Sequence, residues 1–360
     1  MPTFGTAQLK LLEKLCNAIA ISGEEGEVRR IVLEEIKPYA DEVKVDALGN
    51  VLATRPGNRT GRQPGRSAKG RRAPRVLLDA HMDEVGLMIV AEDGEGIYRF
   101  EIVGGINVRY LVGKQVFVGK DRVPGVIGAK PIHLMTAEER TKKVPLDALR
   151  IDVGLAGKAK IGDRAGFATK FRRVGPSIMS KSIDDRIGVA VLIELFKSAP
   201  SNIDLCAAFT VQEEIGLRGA KVAAQYFNPD LAFAIDATPA HDLPDFDGAE
   251  NVSYNTKLGF GPAIYIADGS TLHDPRLVRF LQQSAEDGGI PYQFRQPGGG
   301  GTDSGAIQQA LSGIPTISVS VPHRYPHSPV SIAHLEDWKN TINLLHAALK
   351  RITPSLISKR

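Results

Sequence analysis

From Ser177 onward the chain alternates helical periodicity with short apolar runs, and this alternation constrains the fold more than any other feature. Ile187 to Phe196 reads as helix, Leu205 to Val211 and Leu231 to Ile235 as strands, Pro275 to Ser284 as helix, Ile314 to Val321 as strand and Leu335 to Ile352 as helix. Strands separated by helices in this way pack in layers, with helices on both faces of one sheet. The N-terminal stretch offers the same ingredients. Leu9, Leu12, Leu15 and Ile19 fall at helical spacing, and Ser22 with Glu25 is placed to form a capping box for a second helix carrying Val28, Ile31, Val32 and Ile36. Val43 to Ala53 is a strand run with the turn-prone Gly49-Asn50 in its middle, and Val76 to Ala80 reads as a buried strand. Between about Gly86 and Pro176 the pattern changes to short β-like runs broken by Gly, as in IYRFEIVGG, QVFVG and GVIGAK. The expected fold is therefore α/β: a mixed-sheet α/β/α domain made of residues 1–84 and 177–360, with a β-rich domain of residues 85–176 inserted into it. A chain of 360 residues that is 42% apolar can build both cores.

Composition narrows the setting. Met1 to Ala20 carries Lys10, Glu13 and Lys14 among its apolar residues, unlike a secretory signal. No segment approaches the roughly 20 apolar residues that span a bilayer, so a cytoplasmic protein without membrane contact is expected. Cys16 and Cys206 sit in apolar patterns and are expected as buried free thiols. From Arg55 to Arg75 the chain has eight Lys or Arg and no acid; subtracting these eight from the net +4 leaves the rest at −4. That segment is rich in Gly, Pro and Arg and poor in apolar residues, the composition of a solvated loop, and no nucleic-acid partner is expected.

The chemistry-bearing residues gather where the apolar runs end. In LLDAHMDEVG, His81 and Asp83 are two apart, so both side chains leave a strand on the same face. The pair suits a metal ligand with the carboxylate that orients it, and equally a structural hydrogen bond. In SKSIDDRIG, Asp184 and Asp185 precede a helix; one acid there is a cap, whereas two leave one free to bridge cations. In AAFTVQEEIGLRGA, Glu213 and Glu214 end an apolar strand, where they are either a solvated turn or a ligand and a general base. Asp236 ends the strand of LAFAIDATPA, and an unpaired buried carboxylate there would be costly. VSVPHRYPHSPV adds His323 and His327. Imidazole and carboxylate without thiolate suit zinc, cobalt or manganese in a two-metal hydrolase. Paired carboxylates such as Glu213 and Asp184 would also suit a glycosidase, a reading that leaves His81, Asp236 and His327 without a task. A catalytically silent peptide-binding scaffold is a third reading.

The segments AHMDEVG, SIDDRIG, VQEEIGLRGA, AIDAT, KLGFGPAI, GGGGTDSGAI and RYPHSP occur in the order found in the tetrahedral aminopeptidases, the group that includes glutamyl aminopeptidases and proteins once labelled endoglucanases. The chain resembles that family over nearly its whole length. The resemblance implies a two-metal aminopeptidase acting on unfolded peptides, with two zinc or cobalt ions per subunit held by His81, Asp184, Glu214, Asp236 and His327. It also implies that Asp184 bridges the ions, Glu213 is the general base and Asp83 orients His81; His327 matches the family's ligand, whereas His323 does not occupy a recognised ligand position and is a second-choice candidate only. It further implies that the inserted domain is PDZ-like and serves assembly into dimers and dodecamers, that the glycine run Gly298 to Gly301 lies near the site, and that Lys257 and Leu258 lie near the specificity pocket. The basic run from Arg55 to Arg75 departs from the family, being longer than the usual short turn there.

Overall fold

A computed structural model of the chain describes residues 4–57, 73–155, 157–243, 256–295 and 300–358. Most of the basic run, residues 58–72, lies outside this set, as do Gly298 and Gly299. The strands, in chain order, are β1 (Glu42–Val45), β2 (Val51–Arg55), β3 (Arg75–His81), β4 (Gly86–Gly94), β5 (Ile97–Val103), β6 (Gln115–Val118), β7 (Val123–Gly128), β8 (Arg150–Asp152), β9 (Arg164–Phe167), β10 (Arg172–Val174), β11 (Ser177–Ser180), β12 (Asp204–Thr210), β13 (Leu231–Pro239), β14 (Ala263–Tyr265), β15 (Gln293–Arg295), β16 (Thr316–Arg324) and β17 (Ser331–His334).

These strands form two sheets. The larger runs β1-β2-β12-β3-β13-β16-β17-β11-β10, with β14 and β15 attached beside β16. Its centre, β12-β3-β13-β16, is parallel, and its flanks pair antiparallel, so the sheet is mixed. The central strands are buried on both faces, which is why each reads as a continuous apolar run rather than an alternating one. Val76, Leu78 and Ala80 face a core shared with the helices Thr6–Asn17, Gly26–Ile36, Ile183–Lys197, Pro275–Gly288 and Leu335–Arg351. Leu77 faces the opposite layer, where Arg218–Phe227 and Ser304–Gln308 pack. Between β3 and the return at β10 the chain builds a closed six-stranded barrel, β4-β5-β8-β7-β6-β9, filled by Leu87, Ile89, Phe100, Val116, Ile127 and Ile151 among others. Cys16 and Cys206 are buried free thiols, each pushed up to about 12 by burial. Among the described residues no helix is long and apolar enough to cross a membrane.

Two local expectations need correction. The first helix ends at Asn17, so Ile19 lies beyond it and is half-buried, while Leu11, Leu12, Leu15 and Cys16 form the inward face. The second helix has no capping box: Glu25 is its N-cap without a side-chain bond, and Ser22 Oγ instead donates to Asp83 Oδ2 at 2.7 Å. A buried carboxylate is the stronger acceptor, and it draws the hydroxyl away from the helix end.

A buried ionic cluster fastens the β3 end to its surroundings. Lys181 and Arg186, 2% and 0% exposed, both pair with Glu84 at 2.8 and 2.9 Å. Lys181 Nζ also donates to Ala18 O, Ala20 N donates to Glu84, and Arg186 Nη1 donates to the carbonyls of Met82 and Asp83. Glu84→Ala would leave two buried cations without their carboxylate, and we expect a loss of about 3–5 kcal/mol. Urea unfolding followed by circular dichroism checks this; a change within about 0.5 kcal/mol would mean that the cluster contributes no more than a surface pair.

Candidate metal centre

The parallel strands all deliver their carboxyl ends to one edge of the sheet, the usual place for a site in such folds. His81 is the last residue of β3, Glu213 and Glu214 follow β12, and His327 follows β16. Asp236 lies within β13, which continues to Pro239, and not at the strand end expected from its apolar run. Asp184 sits in the first turn of the helix Ile183–Lys197. The peptide bond between Asp184 and Asp185 is cis. Asp185 Oδ1 accepts from Gly188 N at 3.0 Å, so one of the two acids binds the helix start. The other points into the site.

Five side chains sort into two trios that share Asp184. His81, Asp184 and Asp236 form one, and Asp184, Glu214 and His327 the other, with the ligating atoms of each trio within 4.8 Å of one another. Asp184 Oδ1 lies 3.1 Å from His81 Nε2, and Asp184 Oδ2 lies 3.5 Å from His327 Nε2. Asp236 Oδ1 is 3.7 Å from His81 Nε2, and Glu214 Oε2 is 3.3 Å from His327 Nε2. His323 belongs to neither trio. It is buried inside β16 with both ring nitrogens unbonded among the described residues, and burial pushes its pKa down to about 4.

Each histidine is oriented through its other nitrogen. His81 Nδ1 faces Asp83, 3.2 Å from its carbonyl and 3.5 Å from Oδ1. His327 Nδ1 lies 2.8 Å from the carbonyl of Gly105. Both contacts leave Nε2 toward the shared carboxylate, the second-sphere pattern of metal-bound imidazole. Asp83 does more than orient one ring: it accepts from the amides of Glu213 and Glu214 at 3.0 and 3.2 Å and from Ser22. Asn50, fully buried, clamps the same glutamate turn by accepting from Val211 N and donating to Gly219 O. Sequence reasoning missed this role for Asn50, because a residue after Gly in a turn gives no sign of reaching a strand 161 positions away. It also missed Ser22, taken for a cap, and Gly105.

Electrostatics fit a site that takes positive charge. Burial and then the Asp184 charge push Glu214 up to about 8 and Asp236 up to about 6. Burial, opposed by His81 and reinforced by Glu214, raises Glu213 well above the usual carboxylate range. Burial alone would depress both histidines, yet the surrounding carboxylates overcome it; His327 is lifted to about 10. Burial also acts upward on Asp184, but the two imidazoles hold it well below its ordinary value. Glu214 Oε1 is buried with no hydrogen-bond partner among the described residues. Divalent cations would relieve both the crowding and the orphaned oxygen. Each trio offers three nitrogen or oxygen ligands and leaves room for water or substrate, the composition of catalytic zinc sites. The residues present therefore fit two such ions.

The trios open onto a cleft of about 740 Å³. Glu213, Tyr265, Arg295, Gly300 and Gly301 are among its lining residues, and Asn107 and Tyr110 reach it from the barrel side. Arg295 is buried, donates from Nε to Thr238 Oγ1 at 3.1 Å and lies over the Tyr265 ring at 4.7 Å. Lys257 and Leu258 are not among the described residues that line it; the Lys257 ammonium lies over Phe260 instead.

Known proteins resemble this chain over most of its length. The family model described as M42 glutamyl aminopeptidase matches residues 63–344. A lysyl aminopeptidase of Pyrococcus furiosus is 32% identical over 359 residues, covering 96% of this chain and 97% of that one. A TET aminopeptidase from a marine sediment archaeon of the Thaumarchaeota superposes with a TM-score of 0.89 at 33% identity, over 98% of this chain and 99% of the other. A TET peptidase of Pyrococcus horikoshii, described as assembling into a tetrahedron or a large octahedral shell, superposes with a TM-score of 0.80 at 34% identity, over 96% and 100%.

Because Asp83 orients His81 and anchors the glutamate turn, Asp83→Asn is expected to weaken zinc affinity by about 10- to 100-fold. Competition against a chromophoric chelator measures it. An unchanged dissociation constant would show that His81 needs no carboxylate behind it.

Proposed function

The chain belongs to the M42 glutamyl aminopeptidase family, and on that premise we propose that the cleft removes the residue at the free N-terminus of unfolded peptides. It is a metal-dependent aminopeptidase, a hydrolase of peptide bonds. The assignment to this cleft rests on one observation: Asp184 presents one oxygen to each of two ligand groups. In our reading His81, Asp184 and Asp236 hold one divalent cation, zinc or cobalt, and Asp184, Glu214 and His327 hold a second. When bound, the pair supplies positive charge for the oxygen of the scissile carbonyl and a water acidic enough to lose a proton near neutral pH.

The protein's own residues divide the remaining work. Glu213 lines the cleft with both trios, and its charge acts upward on the pKa of the buried His81. It is the general base, taking a proton from the attacking water and passing it to the nitrogen of the leaving amine. Asp83 fixes the turn that carries Glu213, so the carboxyl is placed before substrate arrives. The acid-lined cleft favours a positively charged α-amino group, which suits cleavage at a free N-terminus.

The same reading makes the protein a cytoplasmic homo-oligomer of dimers assembled into a dodecamer. Ile132, Leu155 and Ile161 on the barrel side of the chain are 69%, 84% and 72% exposed, apolar surface of the kind that a second copy covers.

A panel of N-terminal aminoacyl amides, assayed after chelation and again after adding zinc or cobalt, tests the reading. Turnover should vanish in chelator and return with metal; no turnover after reloading would sink it. Glu213→Gln should keep both cations and lose at least about 100-fold in kcat. Metal loss in that variant would mean that Glu213 is a ligand.

A further inference from the structure

The two trios are not supported in the same way. His81 is oriented by Asp83, on the loop that follows β3 of the large sheet. His327 is held by a carbonyl from the inserted barrel, that of Gly105, two residues past the end of β5. His327 itself has φ of 49°, in the left-handed region that residues other than glycine adopt uncommonly. Its ring is partly open to solvent, with a side-chain exposure of 39%, so packing alone does not fix it.

The barrel turn also touches the other terminal ligand of that trio. A Cβ built on Gly104 would lie 2.8 Å from Val85 Cγ1 and 3.4 Å from Glu214 Cβ, and Gly104 has φ of 87°. A Cβ on Gly105 would meet His327 Nδ1 at 3.2 Å and Cε1 at 3.7 Å. The nearest neighbours at these two positions include Glu214 and His327 but neither His81 nor Asp236. Gly104 is required by its left-handed φ and by Val85, with Glu214 at contact distance behind it, whereas Gly105 lies tight against the His327 ring alone.

We propose that the barrel is a working part of the metal centre: its Gly104–Gly105 turn positions His327 and Glu214 and thereby sets the affinity of the Asp184–Glu214–His327 site, whereas the His81–Asp184–Asp236 site is built by the large-sheet domain alone. The inference rests on the reading of the two trios as cation sites. It makes the two sites unequal, and it ties occupancy of one of them to the seating of the inserted domain. By linkage the tie is reciprocal, so a cation in that site also holds the barrel turn in place. Gly105 is a positioning residue here; it touches no reacting atom.

Gly105→Ala isolates the effect, since its new methyl has only the His327 ring to displace and Gly105 is not in the left-handed region. Gly128→Ala is the control, a barrel glycine whose Cβ would meet nothing closer than Arg150 O at 4.0 Å. Full-length protein stripped of metal is titrated with cobalt and followed by calorimetry and visible absorption. Wild type and Gly128→Ala should bind two ions per subunit, and Gly105→Ala should bind the first with unchanged affinity and the second about 10- to 100-fold more weakly. Two ions bound by Gly105→Ala as tightly as by wild type would overturn the inference and leave the site assignment standing. A wild type that binds fewer than two, or a His327→Ala variant that still binds two at full affinity, would overturn the assignment itself. Should Gly105→Ala fail to fold, hydrogen exchange on the wild type decides: the amides of residues 104–107 should exchange several-fold more slowly once the second equivalent of cobalt is bound, and equal rates would contradict the proposal.

Discussion

The site depends on one buried carboxylate. Asp83 is fully enclosed, and an enclosed carboxylate is costly unless its oxygens are bonded. Here they receive the Ser22 hydroxyl, the amides of Glu213 and Glu214 and the approach of the His81 ring. Burial would raise its pKa, but the bond and charge of His81, with Ser22 and the Glu213 amide, bring it below the ordinary value. The group therefore stays ionised while tying the ends of two neighbouring parallel strands, β3 and β12, to the loop before the second helix. The Glu84–Lys181–Arg186 cluster braces the same turn from behind, so His81 and the glutamate pair are fixed relative to each other.

The cost of this arrangement is crowding. Asp184, Glu213, Glu214 and Asp236 gather around two imidazoles where burial weakens solvation, and their shifts run in opposite directions, Asp184 down and the others up. A fold with no task at this edge would not concentrate acids there. The histidines also separate this centre from a glycosidase, whose two carboxyl groups need no imidazole partners.

Much of this was legible in the sequence because it sits where regular patterns stop. The apolar runs that became β3, β12, β13 and β16 are uninterrupted because parallel strands are buried on both faces, and His81, Glu213 and Glu214 stood out as polar residues closing such runs. Asp184 and Asp185 could be separated by spacing only into one cap and one ligand; the family resemblance pointed to Asp184 as the ligand, and Asp185 is the one that bonds the helix start. What the sequence hid are contacts between distant turns. Ser22 matched a capping box, yet a buried acceptor elsewhere outcompeted the helix end. Asn50 reaches across to Val211 and Gly219, and the Gly105 contact with His327 spans 222 positions. Neither composition nor periodicity encodes a backbone carbonyl aimed at a ring nitrogen. Asp236 and His323 illustrate the other limit: residues near strand ends point toward a site or into a core according to local register, which periodicity leaves undetermined by a few residues.

On the proposal that the barrel is part of the metal centre, it enters the chemistry and not only the architecture, through the Gly105 carbonyl 2.8 Å from His327 Nδ1. The account as a whole stands on Asp184 serving two cations at once. Anomalous diffraction from zinc-loaded crystals tests that most directly. The account predicts two peaks per subunit, one bonded to an Asp184 oxygen with His81 and Asp236, the other bonded to the second Asp184 oxygen with Glu214 and His327. A single peak, or a second one with no bond to Asp184, would contradict it.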